Sequence, residues 1–326
     1  IFRLTTTESI IDFPCGGKLL DHHPIWNKFS QYAGEIPDGF MVDYLGGKFR
    51  EEFVPPLAIP STANNIPSFS EDYFGWIEIL ESVEAATDKY VMLEFGAGYG
   101  QWSIRAFRAA RQRGIQDIEI CGVEAEPLHA MWYRTSIEDN DIQSHQSVVF
   151  ECLVSNEDGA AFFYIGNPQM ETVREWYGQS KSKHHEEIIE TIPITSNGPL
   201  PYSNHTEYHG KSLYKFKTGY EAIKVPVIRA SKIISRYEKI DLLDMDIQGE
   251  EAQVIDEAIE ELNSRVKRVH IGTHRPDIEK FIYSRMQEAG WTCKNNFGCR
   301  SAENTDFGII NFYDGVQTWI NPKLIS

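Results

Sequence analysis

Glu94, Glu124, Ser155, Asp246 and His274 each stand just past an apolar run, and each can bind charge or move a proton. Ligands of open α/β sheets lie outside the carboxyl ends of the strands, so residues at such places converge. The first belongs to the run Val91-Met92-Leu93-Glu94-Phe95-Gly96-Ala97-Gly98-Tyr99-Gly100, where an apolar strand meets an acid and then a glycine-rich turn. Glycines at 96, 98 and 100 let the backbone take positive φ and approach a ligand closely. The spacing is G-x-G-x-G, whereas a dinucleotide-binding turn carries G-x-G-x-x-G, so a pyrophosphate on the helix N-terminus is not the natural ligand. The carboxylate of Glu94 would repel pyrophosphate and suits an ammonium group.

Glu124 closes a second apolar run, where an acidic side chain can accept both hydroxyls of a ribose; Glu126 competes, and Glu124 is preferred as nearer the strand end. Asp246 precedes Ile247-Gln248-Gly249-Glu250-Glu251. It can hold an amino group, position a hydroxyl or bind a divalent metal through oxygen. Glu250 is read as an acid favouring a helix N-terminus. His274 titrates near neutrality if unperturbed. A histidine by itself is more often structural, but a place beside Asp246 across adjacent strand ends makes His274 the candidate general base, with Asp246 its catalytic partner. His184-His185-Glu186-Glu187 and the pair His205 and His209 have metal-like spacing, but no helix or third ligand supports them, and they are read as mobile surface.

These residues must be held by strands and helices in alternation. Tyr90 onward reads as strand, with a helix over Gln101 to Arg113, a strand over Ile118 to Val123 and a helix opening at Pro127. A third strand is expected over Val148 to Val154 and a short extra one over Ala160 to Ile165. Regularity returns at Ile223 to Ile228 and in the strand Ile240 to Met245. A helix follows with Ala252, Val254, Ile255, Ala258, Ile259 and Leu262 on one face. Arg268 to Ile271 (strand), Pro276 to Ala289 (helix) and Phe307 to Phe312 (late strand) complete the pattern. The order predicts a doubly wound, mostly parallel α/β sheet whose final strand is antiparallel. Residues 1–88 read as an N-terminal extension, a lid or packing segment, loop-rich from Pro55 to Pro67 and helical from Ser70 to Ala86. Residues 89–326 form the main domain, with a polar insertion over 166–219. An insertion of that length predicts a lid or binding loop, where Trp176, Tyr177, Tyr202, Tyr208 and Tyr214, with Tyr164 just before it, can stack on a ring or sugar face.

Composition narrows the partners. The 326 residues carry 48 acidic against 31 basic side chains, a net charge of −17, which disfavours nucleic acid. The 5 cysteines, Cys15, Cys121, Cys152, Cys293 and Cys299, contain no C-x-x-C pair and point to a reducing, cytoplasmic compartment. No apolar run approaches the roughly 20 residues that span a bilayer. Ile1 at the start leaves open a chain cut from something larger, such as a modular biosynthetic assembly.

Three blocks carry a resemblance. They are Leu93-Glu94-Phe95-Gly96-Ala97-Gly98-Tyr99-Gly100, Val225-Pro226-Val227 followed by Ile240 to Asp246, and Asp246-Ile247-Gln248-Gly249-Glu250-Glu251. Together they resemble FkbM-type S-adenosylmethionine-dependent methyltransferases of the class I, Rossmann-like fold, over roughly residues 88–315. The resemblance implies O-methylation of a small-molecule hydroxyl, on a sugar, a polyketide or another secondary metabolite. It implies that Glu94, Gly96 and Gly98, with Ala97 between them, hold the methionine part of S-adenosylmethionine. Glu124, with Ala125 after it, would hold the ribose, and Ser155 would lie near the adenine. Gln248 occupies the middle acidic place of the family's D-x-E-G-x-E signature and removes a carboxylate from any divalent-metal set. Arg229-Ala230-Ser231-Lys232 replaces the family's Leu-Asp-Asp run. A nicotinamide-dependent oxidoreductase, disfavoured by the glycine spacing, and a non-catalytic binding module on the same fold are the alternatives.

Overall fold

The computed structural model describes residues 21–53, 65–165, 178–179, 202–215 and 221–325. Its central sheet has strands β1 (Lys89–Phe95), β2 (Asp117–Val123), β3 (Ser147–Phe150), β4 (Leu242–Met245), β5 (Arg268–Thr273), β6 (Thr292–Phe297) and β7 (Gly315–Ile320). Their order across the sheet is β6-β7-β5-β4-β1-β2-β3. Strands β1 to β5 pair in parallel, while β7 runs antiparallel between β5 and β6. Strand order reverses between β1 and β4, and such a switch point opens a crevice at the strands' carboxyl ends.

Alternation along β1 feeds two cores. Tyr90 and Met92 face one, with Leu80, Ile104, Phe107 and Tyr133; Val91, Leu93 and Phe95 face the other, with Ile233, Val254, Ile255, Leu262 and Ile282. Helices α1 (Glu71–Glu84), α2 (Gln101–Gln112) and α3 (Pro127–Asp139) supply the first core. The second takes α4 (Ala230–Ile234), α5 (Glu251–Glu257), α6 (Ile259–Arg265) and α7 (Pro276–Glu288). The sheet is covered on both faces, which is the doubly wound α/β arrangement the apolar pattern predicts.

Several elements differ from expectation. The third strand does not run from 148 to 154: the chain leaves the central sheet after Phe150, and Leu153–Ser155 pairs in parallel with Glu221–Arg229 in a second sheet. A turn in which Cys152 N donates to Phe150 O (3.0 Å) breaks the run, and an apolar stretch of that kind fits either sheet equally well. The late strand at Gly308–Phe312 exists, but it forms a hairpin with Ser301–Thr305, and the antiparallel strand of the central sheet is β7. The helix expected over 252–262 is two, breaking at Ala258, whose φ and ψ are −96° and 8°.

The second sheet also contains Gly159–Ile165, Gly178–Gln179, Lys211–Lys215 and Tyr202–Tyr208. Ala125, Phe163, Leu213, Ile223 and Val225 form a core between it and the loop after β2, with Tyr208 packed against them. The described parts of the 166–219 insertion thus extend a sheet. His184-His185-Glu186-Glu187, Trp176 and Tyr177 lie outside the described residues, and His209 is an exposed turn residue with φ 44°. Cys121, Cys152, Cys293 and Cys299 are all free, and no described helix is long and apolar enough to cross a membrane.

Candidate active site

A cavity of about 260 Å³ opens at the switch point, walled by the loops after β1, β2 and β4 and by the second sheet. The glycine turn after β1 is its floor. Gly96 has φ 83°, and a Cβ there would stand 1.9 Å from the carbonyl oxygen of Asp246, so only glycine lets the first and fourth strand ends close on each other. Gly96 N and Ala97 N both donate to Val123 O, at 2.9 and 3.1 Å. Gly98, also at positive φ, has nothing within 4 Å of where its Cβ would be, although it lines the cavity.

Glu94 is buried and accepts from Trp102 N (3.2 Å), from Ser103 N (2.9 Å) and from the Ser103 hydroxyl. It thereby binds the first-turn amides of α2, where a carboxylate also meets the positive end of the helix dipole. Burial nevertheless pushes it up to about 7, against the lowering effect of those hydrogen bonds. Glu124 bridges two loops: Oε2 accepts from Gly98 N at 2.7 Å and Oε1 from Glu126 N at 2.9 Å. Burial raises Glu124 above the usual carboxylate range, and raises Glu126 to about 7.

Six carboxylates line the cavity, those of Glu94, Glu124, Glu126, Asp244, Asp246 and Glu250, and no lysine or arginine does so among the described residues. Asp244 is pushed well above its ordinary range by burial and then by the charges of Glu94 and Asp246. A cation entering the cavity would offset the burial and mutual repulsion that raise these carboxyls and favour their charged forms, so the wall suits a cationic ligand. Its other side is apolar, with Ala125, Leu153, Val154 and Phe163.

At the end of β4 and β5, Asp246 and His274 meet as the sequence predicts. Asp246 Oδ1 lies 3.1 Å from His274 Nε2 and accepts from Gln248 Nε2 at 2.8 Å. His274 Nδ1 lies 3.0 Å from Glu251 Oε1, which also accepts from Gly249 N at 3.0 Å. Burial alone would lower His274; contacts with Asp246 and Glu251 outweigh it and lift it to about 10. The side chain is only 4% exposed, against 48% for Asp246, and His274 does not line the cavity. His274 therefore stands behind Asp246, and a group facing the cavity meets the carboxylate first.

Of the residues expected to bind a cofactor, Glu94, Gly96, Ala97, Gly98, Glu124, Ala125 and Asp246 line the cavity, and Ser155 does not. Ser155 is carried into the second sheet by pairing with Arg229, and Cys152 to Val154 take its place on the wall. Sequence reading missed Asp244, Phe163 and Glu251 and set Glu126 second. An acid inside an otherwise apolar strand was the available signal for Asp244; Phe163 comes from a sheet that only tertiary pairing defines.

The sheet order and the acid-lined glycine turn at its switch point define a class I, Rossmann-like methyltransferase fold. A model of the FkbM methyltransferase domain matches residues 94–291, and the chain belongs to that family. A relative from Jannaschia sp. (strain CCS1), named "Putative methyltransferase", is 24% identical over 269 residues, 81% of this chain and 86% of its own. Among solved structures, the methyltransferase FkbM of Methylobacillus flagellatus KT aligns with TM-score 0.41 and 8% identity, over 72% of this chain and 44% of that one. An O-methyltransferase of Bacillus cereus in complex with SAH aligns with TM-score 0.38 and 12% identity, over 82% and 96%.

Proposed function

We propose that this methyltransferase takes its methyl group from S-adenosylmethionine and passes it to a hydroxyl of a small molecule, a sugar or another secondary metabolite. The observation that carries the reading is the wall of six carboxylates, without a lysine or arginine among the described residues, set on the glycine turn. The acidic wall would hold the sulfonium and ammonium of S-adenosylmethionine, Glu124 would accept its two ribose hydroxyls, and the apolar side formed by Leu153, Val154 and Phe163 would take its adenine. The bound cofactor would supply an electrophilic methyl group, and Asp246 would accept the hydroxyl proton as the acceptor oxygen bonds to the methyl carbon and the sulfur–carbon bond breaks. His274 and Glu251 hold that carboxylate in place from behind. The general base that sequence reading put at His274 thus moves one residue outward, because His274 is shielded from the cavity and already charged at neutral pH. Positioning oxygen and methyl at near-attack distance supplies several kcal/mol, and proton acceptance about 10²-fold or more.

Calorimetric titration with S-adenosylmethionine tests the cofactor. Binding to the intact protein and at least a tenfold loss in Glu124→Ala are expected, and failure of the intact protein to bind would remove the proposal. For the proton acceptor, Asp246→Asn should lower turnover of whichever hydroxyl compound serves as acceptor by about 10²-fold or more while cofactor affinity changes little. Unchanged turnover would remove Asp246 from proton transfer.

A further inference from the structure

Asp244 differs from the other acids of the cavity wall in having nothing to hold. The residue is 6% exposed and lines the cavity, yet among the described residues its carboxylate accepts no hydrogen bond and makes no ion pair. A carboxylate enclosed to this degree normally has donors, because an unpaired one keeps its full desolvation cost. Register fixes its place: Asp244 of β4 pairs with Glu94 of β1 on one side and with His270 of β5 on the other, so the three side chains share a face of the sheet. Neither neighbour supplies a cation. Glu94 adds a carboxyl, and burial lowers His270 to about 4, which leaves its ring neutral. Arg105 acts on Asp244 from a distance, but its guanidinium is turned to Asp43 and to the rings of Trp76 and Trp102.

On the methyl-donor reading above, on which this depends, we infer that Asp244 receives the ammonium group of the cofactor's amino-acid part, while Glu94 serves as the fixed support of the start of α2. Glu94 is 1% exposed and already accepts from Trp102 N, Ser103 N and the Ser103 hydroxyl, so an ammonium bound there would compete with the helix start. Asp244 faces the same cavity with its acceptors unspent. An ammonium carries three N–H donors and a positive charge, and one contact with it satisfies the carboxylate and offsets the repulsion from Glu94 and Asp246. The other groups at hand do less. A sulfonium has the charge but no N–H or O–H to donate, and a neutral hydroxyl donates once and leaves the repulsion in place. The pocket thus reads the amino group of its cofactor through a side chain of β4, one strand away from the acid that opens the glycine turn.

Calorimetry with two ligands that differ only in the amino group tests this. They are S-adenosylhomocysteine and its deamino analogue, which keeps the carboxylate, the thioether and the nucleoside. The intact protein should bind the first about tenfold or more tighter than the second. Asp244→Asn, which keeps the shape of the side chain without its charge, should no longer tell the two apart, whereas Glu94→Gln should still prefer the amino form. Methylthioadenosine, which lacks the whole amino-acid part, should bind the intact protein and Asp244→Asn alike. Equal affinity of the intact protein for the two ligands overturns the assignment without any substitution. A preference that survives in Asp244→Asn, or that vanishes only in Glu94→Gln, overturns it as well. So does a parallel loss of all three ligands in Asp244→Asn, since the residue would then shape the pocket and not read the amino group. Failure of the intact protein to bind any of the three is a different result, because it removes the methyl-donor reading and this assignment with it.

Discussion

Glu94 does at residue scale what a helix cap and a ligand wall each require. Its oxygens hold the first-turn amides of α2, yet it stays on the cavity surface. Burial raises it from 4.5 to about 7, so the folded protein binds that proton more tightly than the unfolded chain does. Its contribution to stability is therefore fully present below about pH 4.5 and is lost as pH rises through about 7. The difference between the two ends of that window is on the order of 3 kcal/mol. Thermal unfolding of the protein and of Glu94→Gln at several pH values should show the gap in Tm shrinking as pH rises from 5 to 7.5; parallel curves would mean that Glu94 is not the group that titrates. The carboxyl at the strand end was legible in the sequence, because an acid between an apolar run and a glycine has few other uses. Its bonds to α2 were not, since they depend on where the helix begins.

The glycine turn is where one element meets another, and its three glycines are not equivalent. At Gly96 an added methyl would collide with backbone at 1.9 Å, while at Gly98 it would project into open cavity. Gly100 starts α2 with φ 80°, and its Cβ would press on the Tyr133 ring at 2.7 Å. Gly96→Ala should consequently cost more than about 4 kcal/mol or prevent folding, since neither backbone strand can move away. Gly98→Ala should cost only the left-handed penalty of about 1–2 kcal/mol yet reduce S-adenosylmethionine affinity at least tenfold. Chemical denaturation and calorimetry on the same two variants separate the effects, and a Gly98→Ala protein that binds normally would place the cofactor elsewhere. The turn was readable from the spacing of its glycines after an apolar run. What sequence could not supply was the departure of the chain after Phe150: Val148 to Val154 is apolar enough for one strand, and the choice between two sheets is made by partners more than 70 residues away in Arg229 and its neighbours.

Across the whole molecule, the N-terminal segment and the sheet share one core. Trp26, Tyr44, Leu45 and Phe49 are buried in the same cluster as Tyr73, Leu80, Tyr90 and Met92. Trp26 Nε1 and His23 N both donate to the Tyr73 hydroxyl, at 3.0 and 2.9 Å, and Tyr73 meets the stacked rings of Phe69 and Phe307 edge-on. Arg105 of α2 lies 4.4 Å from the rings of both Trp76 and Trp102 and pairs with Asp43 at 3.4 Å, so the segment also grips the helix that the glycine turn opens. A stretch with no helical or strand periodicity reads as an appendage, because sequence shows pattern and not the partner surface; the large aromatics were its only sign of burial. If residues 21–53 were an independent cover, Trp26→Ala would loosen them and leave the sheet as stable as before. Shared burial predicts instead a loss of about 3–5 kcal/mol from the single cooperative transition, with S-adenosylmethionine binding retained in the folded fraction. Urea unfolding followed by both tryptophan fluorescence and far-ultraviolet circular dichroism decides it: coincident, shifted curves support one core, whereas a separate early fluorescence transition would show that the segment folds apart from the sheet.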